Sequence, residues 1–121
     1  MLLDTNILIA YFEDERAAGA ALETWRQQGV PLVISSITVA ELLSYTRLSD
    51  SEVENIRELV KTFISIPFDD RLAAVAGMIR RKYGLEVPDS GIIATAIQRG
   101  VRVVTRDKQM QKVKEVDFVK I

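Results

Sequence analysis

Short apolar runs alternate along this chain with longer stretches of helical periodicity. Leu2-Leu3, Pro31 to Ile34, Ile64 to Phe68, Val101 to Val104 and Val116 to Ile121 read as strands. Between them, Asn6 to Phe12 and Asp14 to Gln28 read as helices, the second stopped by Gly29. Ser36 is placed to cap a helix reaching about Tyr45. Ser49 and Glu52 have capping-box spacing, and Val53, Ile56, Leu59, Val60 and Phe63 then recur on one helical face. Leu72, Val75, Ala76 and Ile79 mark a helix over 69–83, with Gly84 as its stop. Pro88-Asp89 opens a last helix through Gln98, ended by Gly100. Strands that alternate with helices must pair in parallel, and a parallel sheet needs helices on both faces. The expected fold class is therefore α/β, a doubly wound parallel sheet. No repeat, low-complexity tract or linker interrupts the 121 residues, so 1–121 is expected to be one domain.

This topology also says where chemistry belongs. Doubly wound sheets bind ligands beyond the carboxyl ends of their strands. Four carboxylates stand against their local patterns, and all four fall near that edge. Asp4 ends the first strand, and Asp107 closely follows the fourth. Asp89 stands where a helix would start from the same edge. Glu41 lies inside the apolar segment ITVAELL, on the helix that follows the second strand. Asp4, Asp89 and Asp107 each have an ordinary alternative as helix caps. Glu41 lies past the first turn among apolar neighbours, so a partner is expected for it.

Composition narrows the chemistry further. The chain has no histidine and no cysteine. That excludes Ser-His-Asp triads, HExxH and thiolate zinc sites, thiol nucleophiles and disulfide frameworks. Gathered carboxylates repel one another and favour protonation, and a divalent cation reverses that cost. Mg²⁺ and Mn²⁺ prefer such oxygen ligands. An acidic metal pocket suits phosphodiester cleavage without histidine, because the metal activates a water and offsets phosphate charge. The net charge of −1 hides an uneven distribution. Residues 1–70 carry 5 basic and 12 acidic side chains, residues 71–121 carry 11 and 5. The second part is suited to an anionic partner. The acidic N-terminal sequence does not look like a secretory signal. No apolar run approaches the roughly 18–20 residues that span a membrane. A cytoplasmic protein without membrane contact is expected.

The segments LLDTNILIAYF, ISSITVAELLSY, VPDSGIIATAIQRG and VVTRDKQM, in this order, resemble the PIN-domain ribonucleases. The likeness is nearest to the VapC-type toxins of prokaryotic toxin–antitoxin pairs and covers essentially the whole chain. It implies a PIN-like parallel five-stranded sheet and a Mg²⁺- or Mn²⁺-dependent endoribonuclease that cuts single-stranded RNA with metal-activated water. By position, Asp4, Glu41, Asp89 and Asp107 would be the catalytic and metal-binding acids. Asn6 and Thr105 would be supporting residues that orient them. The resemblance further implies a cognate antitoxin that covers the active site, with helices 14–28 and 49–63 as candidate faces, and a homodimer. Arg99, Arg102, Arg106 and Lys108 are candidate RNA contacts, as is the Arg80-Arg81-Lys82 run, which also reads as a solvated helix end. The sequence departs from the family pattern at Ser90-Gly91, where larger or Ala-like residues are common, and at Met110, where Phe is common.

Three other readings compete. A receiver domain would need an acidic pair after the first strand, but Asp4 is followed by Thr5, and Glu41 has no role there. A haloacid-dehalogenase-type phosphatase would need DxD, and its third position is Asn6. A catalytically silent PIN scaffold would be favoured by loss of an acid, yet all four are present.

Overall fold

The computed structural model describes all 121 residues. Five short strands are joined by six helices: β1 (Leu2–Leu3), α1 (Thr5–Phe12), α2 (Arg16–Gln27), β2 (Val33–Ser35), α3 (Ser36–Leu42), α4 (Asp50–Val60), β3 (Ile64–Ile66), α5 (Asp70–Tyr83), α6 (Val87–Arg99), β4 (Val103–Val104) and β5 (Phe118–Val119), with a 3-10 turn at Met110–Lys112. All pairings are parallel, in the order β3-β2-β1-β4-β5. The chain thus starts mid-sheet, builds outward to β3, then returns to add β4 and β5 on the other side of β1. The direction reverses between β1 and β4, the switch point where doubly wound sheets open a crevice. A receiver domain has the flavodoxin-like order 2-1-3-4-5, so this order sets that alternative aside.

Successive strand side chains point to opposite faces, and the core divides accordingly. Leu2, Val33 and Val103 pack on one face with Leu72, Ile79, Ile92 and Ile93 of α5 and α6. Leu3, Ile34 and Val104 pack on the other with Ile7, Leu8, Leu22 and Ile56 of α1, α2 and α4. Adjacent apolar residues in one short strand therefore serve two separate cores. A strand buried on both faces has no alternation in its sequence, which is why these runs read as continuous apolar stretches.

The strands are shorter than the apolar runs that announced them. Burial extends past the strands: Leu32 is buried before β2 begins, and Val101 is half-buried before β4. Beyond β3, Pro67 has no N–H to offer a ladder. Most helix ends match expectation. The capping box at Ser49 is formed, with Glu52 N donating to Ser49 Oγ and Ser49 N to Glu52 Oε1, both at 3.1 Å. Gly84 and Gly100 close α5 and α6 in the left-handed conformation.

One cap is corrected. Ser35, not Ser36, caps α3 by accepting from Ile37 N at 3.1 Å. Ser36 Oγ instead accepts from Phe68 N at 2.9 Å, linking α3 to the segment after β3. Glu41 thus sits at the sixth position of α3. That helix ends at Leu42, short of Tyr45, whose side chain is left 55% exposed.

Gly91 shows why α6 tolerates a glycine in its first turns. A Cβ there would lie 2.3 Å from Ile37 Cδ1 and 2.9 Å from Phe68 Cε1. Its absence lets the start of α6 close against α3, and so brings Asp89 toward Glu41. Met110, the other departure, is fully buried in the core beside α6.

Candidate active site

Asp4 leaves β1 and caps α1, its Oδ1 accepting from Thr5 N at 2.8 Å. Its Oδ2 accepts from Thr105 Oγ1 at 2.6 Å. The residue is 5% exposed, and that burial raises its carboxyl above the ordinary range. The two hydrogen bonds pull the other way, while the charges of Glu41 and Asp107 push it further up. A cap and a strained carboxylate are therefore the same side chain.

Thr105 is the hub behind Asp4. Its hydroxyl gives its one proton to Asp4 and accepts from Asp107 N at 3.0 Å and Asn6 Nδ2 at 3.3 Å. That is one donor and two lone pairs, all in use. Asn6 is oriented in turn by Arg106 N, which donates to its Oδ1 at 3.4 Å. Thr105 thus sits behind the acids, and Asn6 lies beside them. Asp107 Oδ1 accepts from Gln109 N at 2.8 Å and Met110 N at 3.2 Å, so it also closes the turn after β4.

Glu41 has the partner its setting called for. Thr5 Oγ1 donates to Glu41 Oε1 at 2.6 Å, and Thr38 Oγ1 lies 3.0 Å from the Thr5 hydroxyl. Thr5 and Thr38 were missed in the sequence. A signal existed, because Thr38 stands three residues before Glu41, one helical turn away.

Asp89 differs from the other three. It is the third residue of α6, whose N-cap is Glu86, and it forms no cap. A helix N-terminus favours an anion. Burial nevertheless comes first and raises its carboxyl, and the charges of Asp4, Asp107 and Glu41 follow, to about 6. No hydrogen bond acts against that rise.

All four acids, with Thr5 and Asn6, line one open cleft of about 300 Å³, whose outer rim is Ser44 and Tyr45. No three of them are drawn together closely enough to hold a metal ion as they stand. The basic residues named from the sequence are not gathered there. Arg99 borders a separate pocket with Asp69 and Gln98. Arg102 lies near the Met1 amino group at the opposite, amino edge of the sheet. Arg106 is paired with Glu15. Lys108 is exposed and directly follows Asp107.

A family model described as PIN domain matches residues 1–116. A chain of a toxin–antitoxin complex from Klebsiella pneumoniae is 32% identical, with a TM-score of 0.81, covering 95% of this chain and 93% of that one. FitAcB from Neisseria gonorrhoeae is 26% identical with a TM-score of 0.76, covering 97% and 94%. VapBC2 from Rickettsia felis, bound to a DNA fragment from its promoter, shares the fold at 20% identity and a TM-score of 0.85, covering 99% and 97%. No match is found among curated proteins.

Proposed function

The chain belongs to the PIN-domain family, and on that premise we propose that it is a divalent-metal-dependent endoribonuclease and the toxin of a toxin–antitoxin pair. The observation that carries the reading is the cleft, in which two of four converging acids, Asp4 and Asp89, have raised pKa values. Charge held together at such a cost marks a functional site more often than a structural one.

The donor set fits a hard cation. Every candidate ligand is a carboxylate, which suits Mg²⁺ or Mn²⁺ better than zinc or copper. Asp4, Glu41, Asp89 and Asp107 would hold it. Their open spacing would leave room for the several waters that Mg²⁺ keeps, with some of the acids reaching it through water. When bound, such an ion lowers the pKa of a water and offsets charge on the phosphate.

The chain's own residues supply the rest. Hydrolysis joins a water oxygen to phosphorus and releases a ribose oxygen. Thr105 and Thr5 keep Asp4 and Glu41 in fixed rotamers, so neither must reorganise as charge moves. Asn6 locks the Thr105 hydroxyl toward Asp4. Asp89, its carboxyl raised to about 6, would need to be ionised to serve as a ligand. Lys108, exposed and next to Asp107 in sequence, would be a candidate to meet a phosphate.

An antitoxin partner is supported by a second surface. An apolar groove of about 420 Å³ adjoins the cleft and shares Ile9 and Tyr45 with it. Phe12, Leu42, Leu48 and Ile56 form its floor, and Glu13 and Glu52 lie along it. An apolar helix with basic flanks fits this surface and would cover the acids. Of the two helices named as candidate faces, only α4 contributes. Homodimerisation, also proposed, is checked by mass in solution.

The direct test is cleavage of single-stranded RNA by the purified protein with Mg²⁺ or Mn²⁺, abolished by a chelator. Asp4→Asn should stop cleavage while the fold survives by circular dichroism. Wild-type rates in that variant would sink the assignment. Growth arrest on expression, relieved by a protein encoded beside it, separately tests the toxin role.

A further inference from the structure

One ion pair ties together two loops at the cleft. Arg106 Nη1 donates to Glu15 Oε2 at 2.9 Å, and its Nη2 donates to Glu15 Oε1. This two-pronged pairing spans 91 residues of sequence and joins the turn between α1 and α2 to the loop after β4. A bidentate pair fixes the plane of the guanidinium as well as its position.

The surroundings are arranged for it. Asp14, just before Glu15, has φ +60°, a left-handed conformation that few non-glycine residues adopt. Glu15 stands at the N-cap of α2 but makes no capping hydrogen bond. Its carboxylate is turned away from its own helix and toward Arg106. Arg106 in turn lies between Thr105, which holds Asp4, and Asp107. Its backbone N–H orients Asn6, the other partner of Thr105.

We propose that Glu15 is a positioning residue for the cleft: by gripping Arg106 it fixes segment 105–107, and with it the mutual placement of the Asp4 and Asp107 carboxylates toward a cation. This rests on the reading of the cleft as a metal site. It gives Arg106 a structural task in place of the RNA contact expected from the sequence. A plain surface ion pair, screened by water, would instead leave the cleft unchanged.

The test uses the full chain as Glu15→Gln, Arg106→Gln and the double variant. Hydrogen exchange of the Asp107 and Gln109 amides should quicken ~5-fold in Glu15→Gln, while amides of the central sheet keep their wild-type rates. Mn²⁺ affinity, measured by calorimetry without RNA, should weaken by ~5-fold. In an Arg106→Gln background, Glu15→Gln should add nothing, because both act through one link. Unchanged exchange at 107 and 109, or a uniform rise across the whole sheet, overturns the proposal. So does unchanged Mn²⁺ affinity alongside faster loop exchange. Wild-type protein that binds no Mn²⁺ would overturn the metal reading itself, and exchange alone would then decide whether the pair fixes the segment.

Discussion

Asp89→Asn should stabilise the metal-free protein while destroying its activity. The carboxyl is raised from 3.8 to about 6 by burial and by three neighbouring acids. Taken at face value that rise is ~3 kcal/mol against the charged form. Asp89 is only half-buried, however, and water screens the repulsion, so ~1 kcal/mol is the figure to expect. The sign follows from proton counting. Between pH 3.8 and about 6 the folded protein holds a proton that the unfolded chain has released. The stabilisation is complete below that window and is lost as pH rises through it. Wild type in a chelator should therefore melt lower at neutral pH than at about pH 5. Asparagine keeps the shape, removes the charge and should flatten this difference. In chelator at neutral pH its melting point should exceed wild type by about 3–5 °C for a domain of this size. Adding Mg²⁺ should narrow the gap, because only the native wild-type site gains from binding. At ten times its Kd the ion would return ~1.4 kcal/mol, enough to close the gap and bring wild type slightly above the variant. Thermal scans at two pH values, with chelator or Mg²⁺, are sufficient. If Asp89→Asn melts at or below wild type in chelator at neutral pH, the acids are not under the strain inferred here.

The other expectations are more local. Gly91→Ala should cost ~1–2 kcal/mol by overpacking against Ile37 and Phe68, and should lower cleavage more than stability alone explains, since α6 carries Asp89; chemical denaturation beside RNA cleavage checks it, and wild-type behaviour in both would refute it. Thr105→Val keeps the volume but strips Asp4 of its hydroxyl donor, so Mn²⁺ affinity should fall ~10-fold by calorimetry. Ser49→Ala, in the capping box of α4, should cost ~1 kcal/mol in a thermal melt and leave cleavage unchanged.

The fold was largely legible because its strands are buried on both faces. Burial on two sides leaves continuous apolar runs, and the helices between them end at ordinary caps and glycines. What those runs could not give was strand length, since Val101, for example, is apolar for the core and its N–H bonds back to Ala96 instead of joining the ladder. Nor could they distinguish Ser35 from Ser36 as the cap of α3. Both are serines at one junction, and which of them turns inward depends on Phe68, 32 residues away.

The site was legible to a different depth. Its acids could be found because each interrupts an apolar or strand-ending pattern. Their supports could not be ranked in the same way, for hydroxyls and amides are ordinary at such positions. Thr5 and Thr38 act on Glu41 only because α1 and α3 pack together, and Glu15 reaches Arg106 only through a left-handed turn at Asp14. The capping alternatives divide the acids further. Asp4 and Asp107 do cap their local turns, so for them the ordinary reading holds and is compatible with the functional one proposed. Asp89 caps nothing and accepts no hydrogen bond, although it sits at a helix start where a cap was the natural expectation. An acid with a local structural task is weak evidence for function, however well placed. Asp89 has none that would justify its cost, and it is therefore the residue on which the proposed metal site leans most.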